Sequence, residues 1–166
     1  MTKLLGSFLA LLLFAGCGYL PASKQARKVV GHKLFVEVVV PLQDPENAVI
    51  IKDAARKAVV TRFQSSLVPA NLAKTKLLVS MGRISFTPLQ YDENGYVIVY
   101  RTVVGITVKR SNKDETKNYQ AKGYFDFAIE PNAVITDFQR LDAISKASLK
   151  ALDSFVAQVG AEGAQL

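Results

Sequence analysis

The chain holds one cysteine, Cys17, and one histidine, His32, in 166 residues. A lone cysteine cannot form an intramolecular disulfide, so the fold must be held by a buried core. The same scarcity removes most site chemistry: there is no paired-cysteine spacing, no HExxH, no GxSxG and no P-loop. His32 lies between a polar stretch and the first expected strand, where a solvated surface role is expected. Paired carboxylates do occur, Asp92 with Glu93 and Asp114 with Glu115. Each pair falls in a turn, and turn chemistry accounts for both. The sequence therefore points away from an enzyme and calls for no metal and no cofactor. Internal repeats and low-complexity tracts are lacking too, apart from an Ala/Gly-rich tail.

Long hydrophobic runs are missing, with one exception at the start. Lys3 precedes an almost uncharged Leu/Phe/Ala run that ends in Ala15, Gly16 and Cys17, the outline of a secretory signal peptide. The run of about eleven residues reaches roughly 16 Å as a helix, against a hydrocarbon core of about 30 Å, so it cannot span a bilayer. A cysteine directly after Ala-Gly is the lipobox pattern of bacterial lipoproteins, with Phe14 standing where Leu is usual three positions earlier. There the thiol takes a diacylglycerol, and cleavage frees the Cys17 amine for an acyl chain such as palmitate. Each buried methylene contributes about 0.8 kcal/mol, and two or more chains anchor stably where one is marginal. The expected organisation is a signal peptide over 1–16, removed on export, and a lipidated N-terminus and tether over 17–32. A single domain over 33–160 and a flexible tail over 161–166 follow.

Within that domain KLFVEVVV, from Lys33 to Val40, is β-branched and predicts a first strand. Asp44, Pro45 and Glu46 form a helix start. Ile51, Ala55, Ala58, Val59, Phe63 and Leu67 recur at helical spacing, so the spacing predicts an amphipathic helix ending near Val68 and Pro69. Lys76 to Tyr91 and Tyr96 to Arg110 read as two long strands joined by DENG, where Asn94-Gly95 suits a type I′ hairpin. Pro88 marks a bulge or an edge. After the polar turn SNKDET, Tyr119 to Glu130 alternates as a half-buried strand, with Tyr119, Ala121, Gly123, Phe125, Phe127 and Ile129 on one face. Thr136 and Gln139 have capping-box spacing. A helix carrying Leu141, Ile144, Ser148, Leu152, Phe155 and Val159 is expected to run from there to Gly160. The order β-α-β-β-β-α gives an α+β two-layer sandwich, with two helices on one face of a four-stranded mixed sheet.

That arrangement leaves one sheet face open. On the third strand Tyr96, Ile98, Tyr100, Val104 and Ile106 can face the helices, while Val97, Val99 and Val103 point away and are also apolar. Either another molecule covers that face, or the valines are exposed for their strand propensity. The chain carries 21 Lys+Arg against 14 Asp+Glu, a net charge of +7. That balance favours anionic partners unless it reflects a basic proteome, and export removes nucleic acid from the set. Parity places Arg101, Lys109 and Lys122 on the open face and Arg140 near the start of the last helix. An arginine amid valines can pair a phosphate or carboxylate while its neighbours pack on acyl chains or a partner wall. The candidate binding residues are therefore Arg101, Lys122, Arg140, Val97, Val99 and Val103.

Four stretches, in order behind the lipobox, carry a family resemblance. They are the CGY start at Cys17, the helix DPENAVIIKDAARKAV from Asp44, the strand NGYVIVYRTVVGITV, and the late helix LDAISKASLKALDSF. Together they resemble the lipopolysaccharide-assembly lipoproteins (LptE), in the versions of Campylobacter-like and Helicobacter-like bacteria. The resemblance implies a lipid-anchored protein at the inner leaflet of the outer membrane, facing the periplasm. Such proteins plug the lumen of a β-barrel translocon (LptD-like), assist its assembly, and bind lipopolysaccharide during delivery to the outer leaflet. Arg140 matches a basic position in relatives. Enterobacterial members have a basic residue in the strand-to-strand turn, where this chain has Asp92 and Glu93, so no binding site is carried onto that turn. The rival expectation is an auxiliary lipoprotein adaptor of an ABC-type phospholipid transporter or a secretion channel.

Overall fold

The computed structural model describes residues 22–39, 49, 52–53, 56–57 and 60–165. Cys17, the Asp44 helix start, and Ile51, Ala55, Ala58 and Val59 of the expected helical stripe lie outside them. The described elements are α1 (Ala22–Val30), β1 (Lys33–Val39), a helical stretch ending at Phe63, β2 (Ser66–Leu67), β3 (Thr75–Tyr91), β4 (Val97–Ser111), β5 (Thr116–Ala128) and α2 (Asp137–Gly163). The sheet runs β2-β1-β3-β4-β5 and is mixed, with β1 parallel to β2 and β3 and the remaining pairs antiparallel. A parallel pair needs a long crossover, and the chain between Val39 and Thr75, with its helical stretch, supplies the one from β1 to β3. The α+β sandwich with a mixed sheet is as expected.

Three departures have local causes. The sheet has five strands rather than four, because the helix stops at Phe63 instead of running to Val68. Gln64 takes a positive φ of 51°, and the turned chain then donates from Ser66 N to His32 O and from Val68 N to Leu34 O. Leu67, expected on the helical stripe, is instead an edge-strand residue and 39% exposed. The expected tether is also different over Ala22–Val30, which forms α1. Ala26, Val29 and Val30 bury one face, and Gly31, at φ 78°, closes the helix by donating to Arg27 O. Finally, the β3–β4 hairpin is not type I′. Only Gly95 of the pair takes positive φ, and the bonds Gly95 N to Asp92 O and Asp92 N to Tyr96 O enclose a three-residue loop. The Asp92 carboxylate accepts from Asn94 N and Tyr96 N, which holds that loop.

Other local expectations match. The register slips between Pro88 and Gln90, where the missing N–H of Pro88 cannot serve the ladder. Thr136 and Gln139 form a reciprocal capping box at the start of α2. One further departure is the helix end, which passes Gly160 and reaches Gly163, so residues 161–163 belong to the helix rather than to a tail.

The core lies between one sheet face and the helices. Leu34, Leu77, Val79, Val104, Ile106 and Val108 meet Ile144, Ala147, Ala151, Phe155 and Val159 of α2, with Ala26 and Val30 of α1 behind. Phe155 stands edge-on to Phe63 at 5.7 Å and to Tyr119 at 5.3 Å between centroids, pairings that add about 0.5–1.5 kcal/mol each beyond burial. The closest approach is between β5 and α2: a Cβ at Gly123 would stand 1.9 Å from Ala147 O and 2.3 Å from Ala151 N. Gly123→Ala is therefore expected to push α2 off the sheet and destabilise the fold by roughly 3 kcal/mol, the upper range for overpacking. Thermal denaturation beside Gly105→Ala checks this, since a Cβ there meets nothing within 4 Å.

Candidate functional site

Alternation along the strands sorts the sheet into two surfaces. Inward on β4 are Thr102, Val104, Ile106 and Val108, all buried. Outward are Val97, Val99, Arg101, Val103 and Gly105, half-buried although none of the described helices packs on this side. The strand parity expected from the sequence is therefore observed. The shielding comes from cross-strand neighbours: Val99 lies opposite Ala128, and Val103 lies between Tyr124 and Ser85. On the far strand the same surface presents Lys122, Tyr124 and Asp126, and on β1 it presents Val39, 46% exposed.

The structure gives Arg101 a partner within the chain. Asp126 lies directly opposite on β5, and its carboxylate accepts both Nε and Nη2 of Arg101 at 2.7 Å. The hydrogen bond to Arg101, opposed in part by burial and helped by the cation's charge, holds the Asp126 carboxyl below its usual range. The same bond raises the Arg101 pKa further. The Arg101 guanidinium also sits 5.9 Å from the Tyr124 ring centroid. Arg101 is thus a satisfied cation amid valines, where the sequence reading left it for a phosphate or carboxylate of a ligand or partner. Lys122 is exposed, opposite Gly105, and lines a shallow groove of about 570 Å³ at the β5 edge with Gly82, Tyr124 and Gln158. Gln158 crosses the edge to donate to Gln120 O.

Arg140 does not join this group. Its guanidinium lies 5.5 Å from the centroid of Phe86, whose ring packs toward the core, so it stands on the helical side of the sheet. The structure brings together Arg101, Lys122, Val97, Val99 and Val103, and leaves Arg140 on the other face. The expected turn role of Asp92 is seen in the hairpin, and Asn112 organises the second turn by accepting from Asp114 N and Glu115 N.

A second charged cluster was not anticipated. Arg110 ends the inward row of β4 and is 3% exposed at its side chain. Its Nη2 donates to Glu115 at 2.9 Å and to Glu162 at 3.0 Å, its Nε to the Tyr119 hydroxyl at 3.1 Å, and its Nη1 to Val29 O at 3.4 Å. The Tyr119 hydroxyl donates to Glu162 at 2.7 Å, and Lys117 does so at 2.9 Å. Burial and the bond to Glu162 push Tyr119 up to about 12. For Glu162 burial acts upward, but donation from Lys117 and Tyr119 and the charge of Arg110 outweigh it and lower its pKa. The signal was present in the sequence: parity with Val104, Ile106 and Val108 turns Arg110 inward. Every group in this cluster is engaged by another, which makes it a structural clasp rather than a reaction centre.

Among the described residues, no group of three or more His, Cys, Asp or Glu side chains is placed to hold a metal ion. No described helix is long and apolar enough to cross a membrane.

No protein-family model and no curated protein sequence matches the chain. Solved structures do share its fold. Rare lipoprotein B from Shewanella oneidensis superposes with a TM-score of 0.50 at 11% identity, over 79% of this chain and 97% of that one. A DUF330 protein from Xanthomonas campestris superposes with a TM-score of 0.51 at 10% identity, over 81% and 88%. At such identities the likeness is one of fold.

The clasp sets a pH dependence. Tyr119 has a folded pKa of about 12 against 10.0 for the free side chain, so the folded state holds its proton more tightly. The resulting stability is complete below pH 10 and is lost as pH rises towards 12, by on the order of 2 kcal/mol. Tyr119→Phe is expected to cost about 1 kcal/mol at neutral pH, through the lost bond to Glu162, and to flatten that alkaline loss. Denaturant titrations of both proteins from pH 8 to pH 12 test this; parallel alkaline losses would remove Tyr119 as their source.

Proposed function

We propose that this protein is a non-enzymatic, lipid-anchored outer-membrane lipoprotein of lipopolysaccharide transport, acting as the plug partner of an LptD-like β-barrel translocon. The observation that carries the reading is the outward sheet face. It is apolar at Val97, Val99, Val103 and Val39, its arginine is neutralised within the chain, and no described helix covers it. A surface of that kind suits the wall of a partner, because the arginine amid its valines is already paired. The fold shared with rare lipoprotein B agrees with the lipobox reading of Cys17. In this role the protein assists barrel assembly and the delivery of lipopolysaccharide to the outer leaflet. Lys122, exposed at the β5 edge, is an outward-face cation available to an anionic ligand, as is Lys109 on β4, and Arg140 would meet such a ligand only from the opposite face.

The anchor is tested first. Protein recovered from membranes is expected to start at residue 17 and to carry the mass of a diacylglycerol and an acyl chain. Cys17→Ala is expected to move it to the soluble fraction. An unmodified thiol on the recovered protein would end the lipoprotein reading.

The partner is tested through the face. Val103→Glu places a charge at its centre and is expected to lower co-purification of the barrel about tenfold or more, the equivalent of roughly 1.4 kcal/mol. The melting temperature should change little, as is usual for substitutions outside the core. Recovery of an inner-membrane permease in place of a barrel would favour the transporter-adaptor role instead. Unaltered export of lipopolysaccharide after depletion of the protein would overturn the proposal.

A further inference from the structure

Five of the described cations are held in ion pairs within the chain. Arg62 is paired with Asp153, Arg101 with Asp126, Arg110 with Glu115 and Glu162, Lys117 with Glu162, and Lys146 with Asp142. Several exposed cations outside these pairs, Lys109 and Lys122 among them, also have no carboxylate partner among the described residues, but those of α1 sit together within five residues, Lys24 to Lys28. No carboxylate occurs between Ala22 and Val36. Among the described residues, none of Lys24, Arg27, Lys28 and Lys33 has a carboxylate oxygen within 4.0 Å. The guanidinium of Arg27 donates to the side-chain carbonyl of Gln64 instead. Arg27 and Lys28 in the last turn of α1 also suit the negative end of the helix dipole. That accounts for neither Lys24 nor the lack of any acid.

These cations share one surface. α1 buries Ala26, Val29 and Val30 and turns Lys24 and Lys28 to solvent. Lys24, Arg27 and Lys28 line an open basin of about 300 Å³, joined by His32 just past Gly31. The covalent chain adds a positional constraint. An extended residue spans at most about 3.6 Å, so the five steps from Cys17 to Ala22 keep the start of α1 within roughly 18 Å of that cysteine.

We propose that the exposed face of α1 and its basin form a binding surface for anionic phospholipid headgroups, seating the domain against the membrane that holds its anchor. The placement beside a membrane rests on the lipidation of Cys17, whereas the charge complementarity does not. Acyl chains hold the protein to the bilayer but leave it free to swivel. A basic face close to the attachment point selects one orientation, because attraction to an anionic surface fades within a Debye length of about 8–10 Å.

The experiment removes the anchor so that the surface is read alone. Every described element lies beyond residue 21, so the mature chain from residue 17 carrying Cys17→Ser retains all of them. It is expected to sediment with vesicles of phosphatidylcholine mixed with phosphatidylglycerol, to be released by salt, and not to sediment with phosphatidylcholine alone. Lys24→Gln/Arg27→Gln/Lys28→Gln should lower the partition on the order of a hundredfold, at roughly fivefold per cation. Because Arg27 also holds Gln64, Lys24→Gln/Lys28→Gln provides a variant that spares that contact, with an expected loss of about thirtyfold. Lys146→Gln/Lys150→Gln makes the same change in charge on α2 and should bind nearly as the parent does. The proposal is overturned if the α1 variants bind like the parent, if α1 and α2 variants lose binding equally, or if neutral vesicles bind as well. An unlipidated Cys17 in the native protein would remove the anchor and leave the vesicle result standing.

Discussion

The guanidinium of Arg110 is the point on which this fold closes. A buried cation costs several kcal/mol unless its donors are met, and here they are met from four places, two near in sequence and two far from it. Glu115 comes from the β4–β5 turn, Tyr119 from β5, Glu162 from the last turn of α2, and Val29 O from the end of α1. The arrangement also resolves a problem for α2. A carboxylate in a helix's last turn faces the negative end of the dipole, and Glu162 is held there by donors from Arg110, Tyr119 and Lys117. Small residues make the closure possible. Gly163 lies so near Gln25 O that a Cβ would stand 2.1 Å away, so the end of α2 can rest directly on α1.

From that closure the two sheet faces acquire different characters. The inner face is filled to backbone contact, with Gly123 against Ala147 and Ala151. The outer face centres on β-branched residues among which Arg101 and Asp126 cancel, tied across the strands and lying near Tyr124. Neutralising a charge within the chain makes a surface easier to cover, since nothing on the partner must compensate it. A separate cluster of cations without a carboxylate partner among the described residues, Lys24, Arg27 and Lys28, stands on α1.

Much of this was legible from alternation. The inward placement of Val104 and Ile106, the outward placement of the valines, and the capping box at Thr136 all follow from residue patterns of short range. What escaped depends on partners far along the chain. α1 is nine residues long with a polar composition, and its short apolar face becomes helical surface only because the end of α2 lies against it. β2 has two residues and exists because Gln64 turns the chain back to β1. The Arg101–Asp126 pair was within reach: the Asn112–Glu115 turn sets Ser111 opposite Thr116, and counting outward from that pair brings Arg101 opposite Asp126. The inward charge of Arg110 was visible as a break in an apolar row, yet its acceptors in α2 were not, since sequence spacing does not register which helix end meets which strand end.

The parallel pairing of β1 with β3 has a consequence for the order in which the molecule is made. A polypeptide leaves the ribosome, or a translocation pore, with its N-terminus first. β1 then waits for Thr75–Tyr91 before its main ladder partner exists, and α1 waits for Glu162 and Gly163, which come after every described strand. The antiparallel meander β3-β4-β5, with short turns, can assemble by itself in the meantime, as low-separation contacts form first. α1, though among the first described elements to be made, is thus among the last to be locked in place.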